Sequence, residues 1–80
     1  MMEVEIVSAI GGMKSTVDIA PNITFGELKR IIARQRRIPE TTFVLAFKGM
    51  EQLDSTTLKE AGCIEKDKVY LITRTEGGYP

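Results

Sequence analysis

The sequence predicts an α+β fold in which one helix packs across a mixed β-sheet. Three observations lead there: two alternating runs joined by a turn near the start, one longer stretch with helical periodicity behind a capping motif, and a strongly alternating run close to the end. Eighty residues make one domain, near the size at which a single core only just stabilises a chain without disulfides or metal.

From Glu3 the chain reads Glu-Val-Glu-Ile-Val-Ser-Ala, where Val4 and Ile6 alternate with Glu3 and Glu5 as in a half-buried strand. Gly11-Gly12 signals a turn. The run over residues 14–20 then sets Val17 and Ile19 against Thr16 and Asp18, which makes the pair an antiparallel hairpin. Pro21-Asn22 ends the second strand, and Thr24-Phe-Gly-Glu27 has the form of a capping box, in which Thr24 and Glu27 each satisfy an orphan backbone N–H.

The helix expected over residues 24–37 carries Phe25, Leu28 and Ile32 on one stripe, with Lys29, Arg30, Arg34, Arg36 and Arg37 mostly off it. These cations read either as a solvated face near the negative end of the helix dipole, the simpler account, or as a phosphate site. Gly26 in the first turn costs about 1 kcal/mol against alanine. The helix must stop by Arg37, because Ile38 precedes Pro39 and is pushed towards extended geometry. No C-capping glycine is present.

Residues 43–47 form a compact strand, Lys48-Gly49-Met50 the turn after it, and residues 57–61 a short helical piece ahead of Gly62. Residues 68–74 are the last strand, with Val69 and Leu71 on one face and Tyr70 and Ile72 on the other. Two hairpin-like β units around one helix make a β-grasp, whose first and last strands can lie central and parallel. The expected core is Val4, Ile6, Val17, Ile19, Leu28, Ile32, Ile38, Leu45, Leu58, Val69 and Leu71, with Cys63 buried as a small apolar residue and Leu53 competing with Gln52 for an inward position.

Composition narrows the function. Eleven Lys/Arg balance eleven Asp/Glu, so the basic excess expected of a nucleic-acid binder is absent. A single cysteine permits no internal disulfide and fits a reducing compartment. With no histidine and one thiol, the usual zinc sets and the Ser-His-Asp and Cys-His pairs are excluded, and no enzyme is expected. No apolar run reaches the roughly 18 residues of a membrane span, so the expectation is a cytoplasmic, monomeric protein without a cofactor and without membrane or nucleic-acid partners.

Arg74-Thr75-Glu76-Gly77-Gly78 comes at the last strand's end, two residues before the end of the sequence, where no further strand follows for a glycine turn to join. Two residues without a Cβ make the thinnest polypeptide, able to thread a slot too narrow for side chains. A frayed terminus that happens to contain glycines is the plainer reading, and the tail alone does not choose between them. The division expected is a domain over residues 1–74 and a flexible tail over 75–80.

Along nearly its whole length the chain resembles the ubiquitin family. The match runs through the strand pair, Pro21, Thr24-x-x-x-Leu28-Lys29, Ile32, Ile38-Pro39, Leu45-x-Phe47-x-Gly49, Thr57-Leu58, Leu71 and Arg74-x-x-Gly77-Gly78. The short extension past the glycines is similar to that of archaeal ubiquitin-like modifiers. The resemblance implies that the protein is the group transferred. An activating enzyme, with ATP and Mg²⁺ as its own substrates, adenylates the Gly78 carboxylate. The acyl group then passes as a thioester along conjugating and ligating enzymes to a lysine amine of a target protein. Gly77 and Gly78 would be the thread, and Arg74 the residue an activating enzyme recognises. Because Tyr79 and Pro80 follow, a zinc-dependent deubiquitinase-like protease must first cut between Gly78 and Tyr79.

The family's apolar recognition patch maps to Ile10, Ala46, Tyr70 and Ile72, although the last two read equally well as the exposed edge of an ordinary strand. Two lysines used for chain formation fall at Met50 and Glu65, and the lysine matched by Lys29 is structural. The family that this chain resembles has a glycine at the position of Arg37, which implies that Arg37 sits just past the helix with positive φ. Two other functions share these features: a sulfur carrier, with Gly78 as a thiocarboxylate, and a non-conjugated ubiquitin-like binding domain of a longer protein.

Overall fold

The alternation of Val4 and Ile6 with Glu3 and Glu5 produces strand β1 (Met2–Ser8), which pairs antiparallel with β2 (Lys14–Ile19) so that Val4 faces Val17. The computed structural model describes residues 1–74. Further along lie helix α1 (Phe25–Arg36), a 3-10 turn over Glu40–Thr42, β3 (Phe43–Phe47), β4 (Met50–Glu51), the single-turn helix α2 (Leu58–Ala61) and β5 (Lys68–Thr73). The sheet order is β2-β1-β5-β3-β4, with β5 parallel to β1 and antiparallel to β3. This is the mixed β-grasp sheet expected from the element order, with the first and last strands side by side at its centre.

Strand β4 was not legible, because two residues are too few to show alternation. Lys48 and Gly49 both have positive φ (52° and 80°), the geometry of a tight two-residue hairpin turn, and Met50 is thereby returned to pair with Phe47.

One sheet face presents Val4, Ile6, Leu45, Val69 and Leu71 to α1, whose Phe25, Leu28 and Ile32 are fully buried against it. Phe43, Phe47 and Met2 complete this core, while Ile38 is only half-buried at its margin. Between Gln52 and Leu53 the polar residue wins. The Gln52 N–H donates to the Leu45 carbonyl and its carboxamide to the Met50 carbonyl at 3.2 Å, which leaves Leu53 72% exposed.

The two helices begin side by side. Thr24 and Thr57 each form a complete capping box, with Glu27 and Glu60, and the two threonines bridge one another. In α1 the Phe25 and Gly26 N–H groups donate to the Thr56 and Asp54 carbonyls, and in α2 the Leu58 and Lys59 N–H groups donate to the Ile23 and Pro21 carbonyls. The segment leading into each helix therefore supplies carbonyl acceptors for the first two orphan donors of the other, a demand that a helix start always makes.

This arrangement explains Gly26. A Cβ there would lie 3.0 Å from the Asp54 carbonyl oxygen and 3.1 Å from the Asp54 Cβ, so the glycine admits a close backbone approach. At the other end of α1, Arg37 adopts φ 57° and ψ 45°, and Ile38 N–H donates to the Ala33 carbonyl, which closes the helix as a glycine normally would.

Two expectations follow for thermal unfolding. Gly26→Ala should lower the melting temperature despite the gain of about 1 kcal/mol in helix propensity, since the added methyl strikes backbone. A rise would show that residue 54 yields without loss. Arg37→Gly should stabilise by about 1 kcal/mol, or about 4–8 °C for a domain of this size, and an unchanged melting temperature would mean that the left-handed arginine is unstrained.

Candidate functional site

The candidate site has two parts, the root of the tail and the sheet face turned away from α1. At the root, β5 ends at Thr73 and the Arg74 N–H still donates to the Thr42 carbonyl at 2.7 Å. The Arg74 guanidinium lies 3.3 Å from a Glu51 carboxylate oxygen, with both side chains half-exposed. The antiparallel β3–β4 hairpin carries Glu51 to this position. Sequence reasoning missed that partner because β4 itself was missed. Gly77, Gly78 and Tyr79 lie outside the described residues.

On the outer sheet face the strand register sets Tyr70 between Val7 of β1 and Ala46 of β3, and Ile72 opposite Val44. Tyr70 and Ile72 are 41% and 40% exposed, whereas Val7 and Ala46 are nearly covered yet stand apart from the core under α1. Ile10 stands 79% exposed in the β1–β2 turn. Of the four residues assigned to the patch, Ala46 therefore offers little surface. Val7 and Val44 belong to the same face and were overlooked, although continuing the alternation from Glu3 and Glu5, or back from Ala46, reaches both. The arrangement supplies apolar area and one phenol hydroxyl, suited to docking.

The remaining singled-out positions separate clearly. Lys29 is held by Asp54 at 3.5 Å and lies 5.9 Å from the Phe43 ring centroid, its side chain 16% exposed. Met50 is exposed, and Glu65 accepts a hydrogen bond from the Glu3 N–H. Among the described residues no group of three or more His, Cys, Asp or Glu side chains is placed to hold a metal ion, and no helix is long and apolar enough to cross a membrane.

Comparison with known proteins bears on this geometry. The family model described as "Ubiquitin family" matches residues 6–76. Among solved structures, the ubiquitin of Caldiarchaeum subterraneum is similar at a TM-score of 0.87 and 37% identity, over 96% of this chain and 98% of that one. The UBL domain of Plasmodium falciparum Dsk2 is similar at a TM-score of 0.83 and 30% identity, over 90% of this chain and 96% of that one. A comparison with curated protein sequences finds no match.

Cys63, the one thiol, is 4% exposed behind α2. Burial, reinforced by the Asp67 carboxylate and opposed by Lys48, raises its pKa to about 11. Such a thiol is a poor nucleophile. Because the unfolded thiol ionises near 8.5, its contribution to stability is complete below about that pH and is lost as pH rises through about 11. Native protein should react slowly with a thiol reagent at pH 8, and Cys63→Ala should flatten part of the alkaline fall in stability. Labelling as fast as in denaturant would contradict this burial.

Proposed function

The chain belongs to the ubiquitin family, and we propose that it is a protein modifier, matured to a terminal Gly78 and joined through that carboxylate to lysine amines of other proteins. The observation that carries this reading is the Arg74-x-x-Gly77-Gly78 sequence directly behind β5, at the end of a strand central to the sheet. Residues 1–74 are the body and residues 75–80 the tail and its removable extension.

Each part then has a chemical task. The free Gly78 carboxylate attacks the α-phosphorus of ATP on an activating enzyme, with Mg²⁺ neutralising the phosphates, and pyrophosphate leaves. A cysteine thiolate of that enzyme displaces AMP to give the thioester. Conjugating and ligating enzymes pass on the acyl group until a lysine amine expels the last thiolate and forms the isopeptide bond. While Gly78 is bonded to Tyr79 there is no carboxylate to adenylate, which assigns the zinc-dependent protease its step. Arg74 is the point of recognition: its exposed pair with Glu51 contributes at most about 1 kcal/mol, so an acidic surface on the activating enzyme can replace it. Ile10, Tyr70 and Ile72 form the apolar face for pathway enzymes. A cytoplasmic setting suits the free thiol.

A second reading is favoured by the likeness to the Dsk2 UBL domain, namely a ubiquitin-like domain that docks through the outer face and is never conjugated. Incubation with the cognate activating enzyme, ATP and Mg²⁺ separates the two. Protein ending at Gly78 should give a reductant-sensitive thioester band. Protein ending at Pro80 and the Gly78→Ala variant should give none, and Arg74→Ala should give less with the fold intact. If protein ending at Pro80 is charged as readily as protein ending at Gly78, the modifier reading fails. Absence of charging alongside binding through Tyr70 and Ile72 would establish the second reading.

A further inference from the structure

The structure divides the five cations of α1 into two sets. Lys29 is engaged by Asp54, and Arg36 turns inward, where its guanidinium donates to the Ser8 and Ser15 hydroxyls and to the Ile6 carbonyl of the β1–β2 hairpin. Arg30, Arg34 and Arg37 are exposed, and none makes an ion pair among the described residues. Arg30 and Arg34, four residues apart, lie on one side of the helix, and Arg37 at its C-cap borders the same groove as Arg34. Arg37 keeps a left-handed backbone where glycine would be relaxed, and its exposed side chain makes no ion pair among the described residues. The left-handed backbone closes the helix, but glycine would do so without strain, so the choice of arginine points to a use for its side chain at the surface.

Beside this row runs a shallow groove with an aliphatic floor of Ala33, Ile38 and Pro39, rimmed by Arg34 and Arg37. We propose that this face is a docking surface for an acidic peptide segment of a partner protein, whose carboxylates lie along the three arginines and whose apolar anchor residue fills the groove. Charge complementarity selects the occupant. The floor holds no aromatic ring on which a base could stack, and the balanced net charge opposes general attraction to a polyanion. Glu40 is the single acid lining the groove and fixes a direction, since it repels a carboxylate at that end. Because α1 covers the inner sheet face, the surface lies on the side of the molecule opposite Tyr70 and Ile72. Two partners can therefore be held at once, whichever reading of the tail is right.

The test is an NMR titration of the ¹⁵N-labelled chain with a synthetic peptide of glutamate pairs separated by leucines, and with the same peptide carrying glutamine for glutamate. Saturable shifts confined to amides of residues 30–41, weakened by added salt and absent with the glutamine peptide, are expected. The triple variant Arg30→Gln, Arg34→Gln, Arg37→Gly should keep its dispersed spectrum and bind about tenfold more weakly. Equal binding of the glutamine peptide, shifts on the β3 and β5 outer face instead, or no shifts at all would overturn the proposal. A single-stranded RNA oligonucleotide that shifts the same amides more tightly than the peptide would replace it with a nucleic-acid surface.

Discussion

The parallel pairing of β1 with β5 is the constraint from which the rest of the architecture follows. It joins the two ends of the chain, in the register Glu5↔Lys68 to Ser8↔Leu71, and is extended at either end by the Glu5 N–H to the Asp67 carbonyl and the Ala9 N–H to the Leu71 carbonyl. A parallel neighbour cannot be reached by a tight turn, so the intervening chain must leave the sheet, cross it and return. Helix α1 makes that crossing and covers the inner face as it does so. Strands β2 and β3 then take the outer flanks of β1 and β5, and β4 closes the far edge. The same pairing sets β5 at the centre of the sheet, held by β1 on one side and β3 on the other.

A second constraint sits where the helices begin. Because α1 and α2 start beside one another, the carbonyls of residues 54 and 56 become acceptors for α1 and those of residues 21 and 23 acceptors for α2. Segments without regular structure are thus fixed by helix ends. The close approach this needs leaves no room for a side chain at position 26, so a residue of poor helix propensity is favoured there by packing.

Much of the fold was legible because the demands were local. Period-two runs located β1, β2 and β5, a compact apolar run located β3, and the Thr24 and Glu27 pair located the start of α1. The strain at Arg37 followed from Ile38-Pro39 together with the glycine that the ubiquitin-family pattern has at that position. Features set by distant partners were hidden. Gly26 looked unfavourable because the Asp54 carbonyl is remote in sequence, β4 was too short to alternate, and Leu53 lost its inward place to Gln52 through hydrogen bonds visible only once the hairpin is folded. The candidate site shows the same division. Tyr70 and Ile72 were placed on the right strand face by alternation, while Glu51 beside Arg74 and the covering of Ala46 depend on how β3, β4 and β5 lie together. The cations of α1 carried no mark in the sequence to separate inward Arg36 from outward Arg34.

Stability is graded along β5 from buried core to exposed root. Val69 and Leu71 are buried between the sheet and α1, where truncation of such a side chain typically costs about 2–5 kcal/mol. Three residues further on, Arg74 is held by one backbone hydrogen bond and a half-exposed ion pair that contributes at most about 1 kcal/mol. Firm anchoring therefore gives way to exchangeable contacts within a few residues, at the point where the Gly77-Gly78 segment begins. In the modifier reading proposed above, a carried group needs a body that does not unfold under its enzymes and a root whose contacts can be exchanged for theirs. An apolar partner for Arg74 could not be traded so cheaply, since its replacement would expose hydrophobic surface. A carboxylate returned to water costs little, which gives Glu51 a physical reason to stand beside the tail.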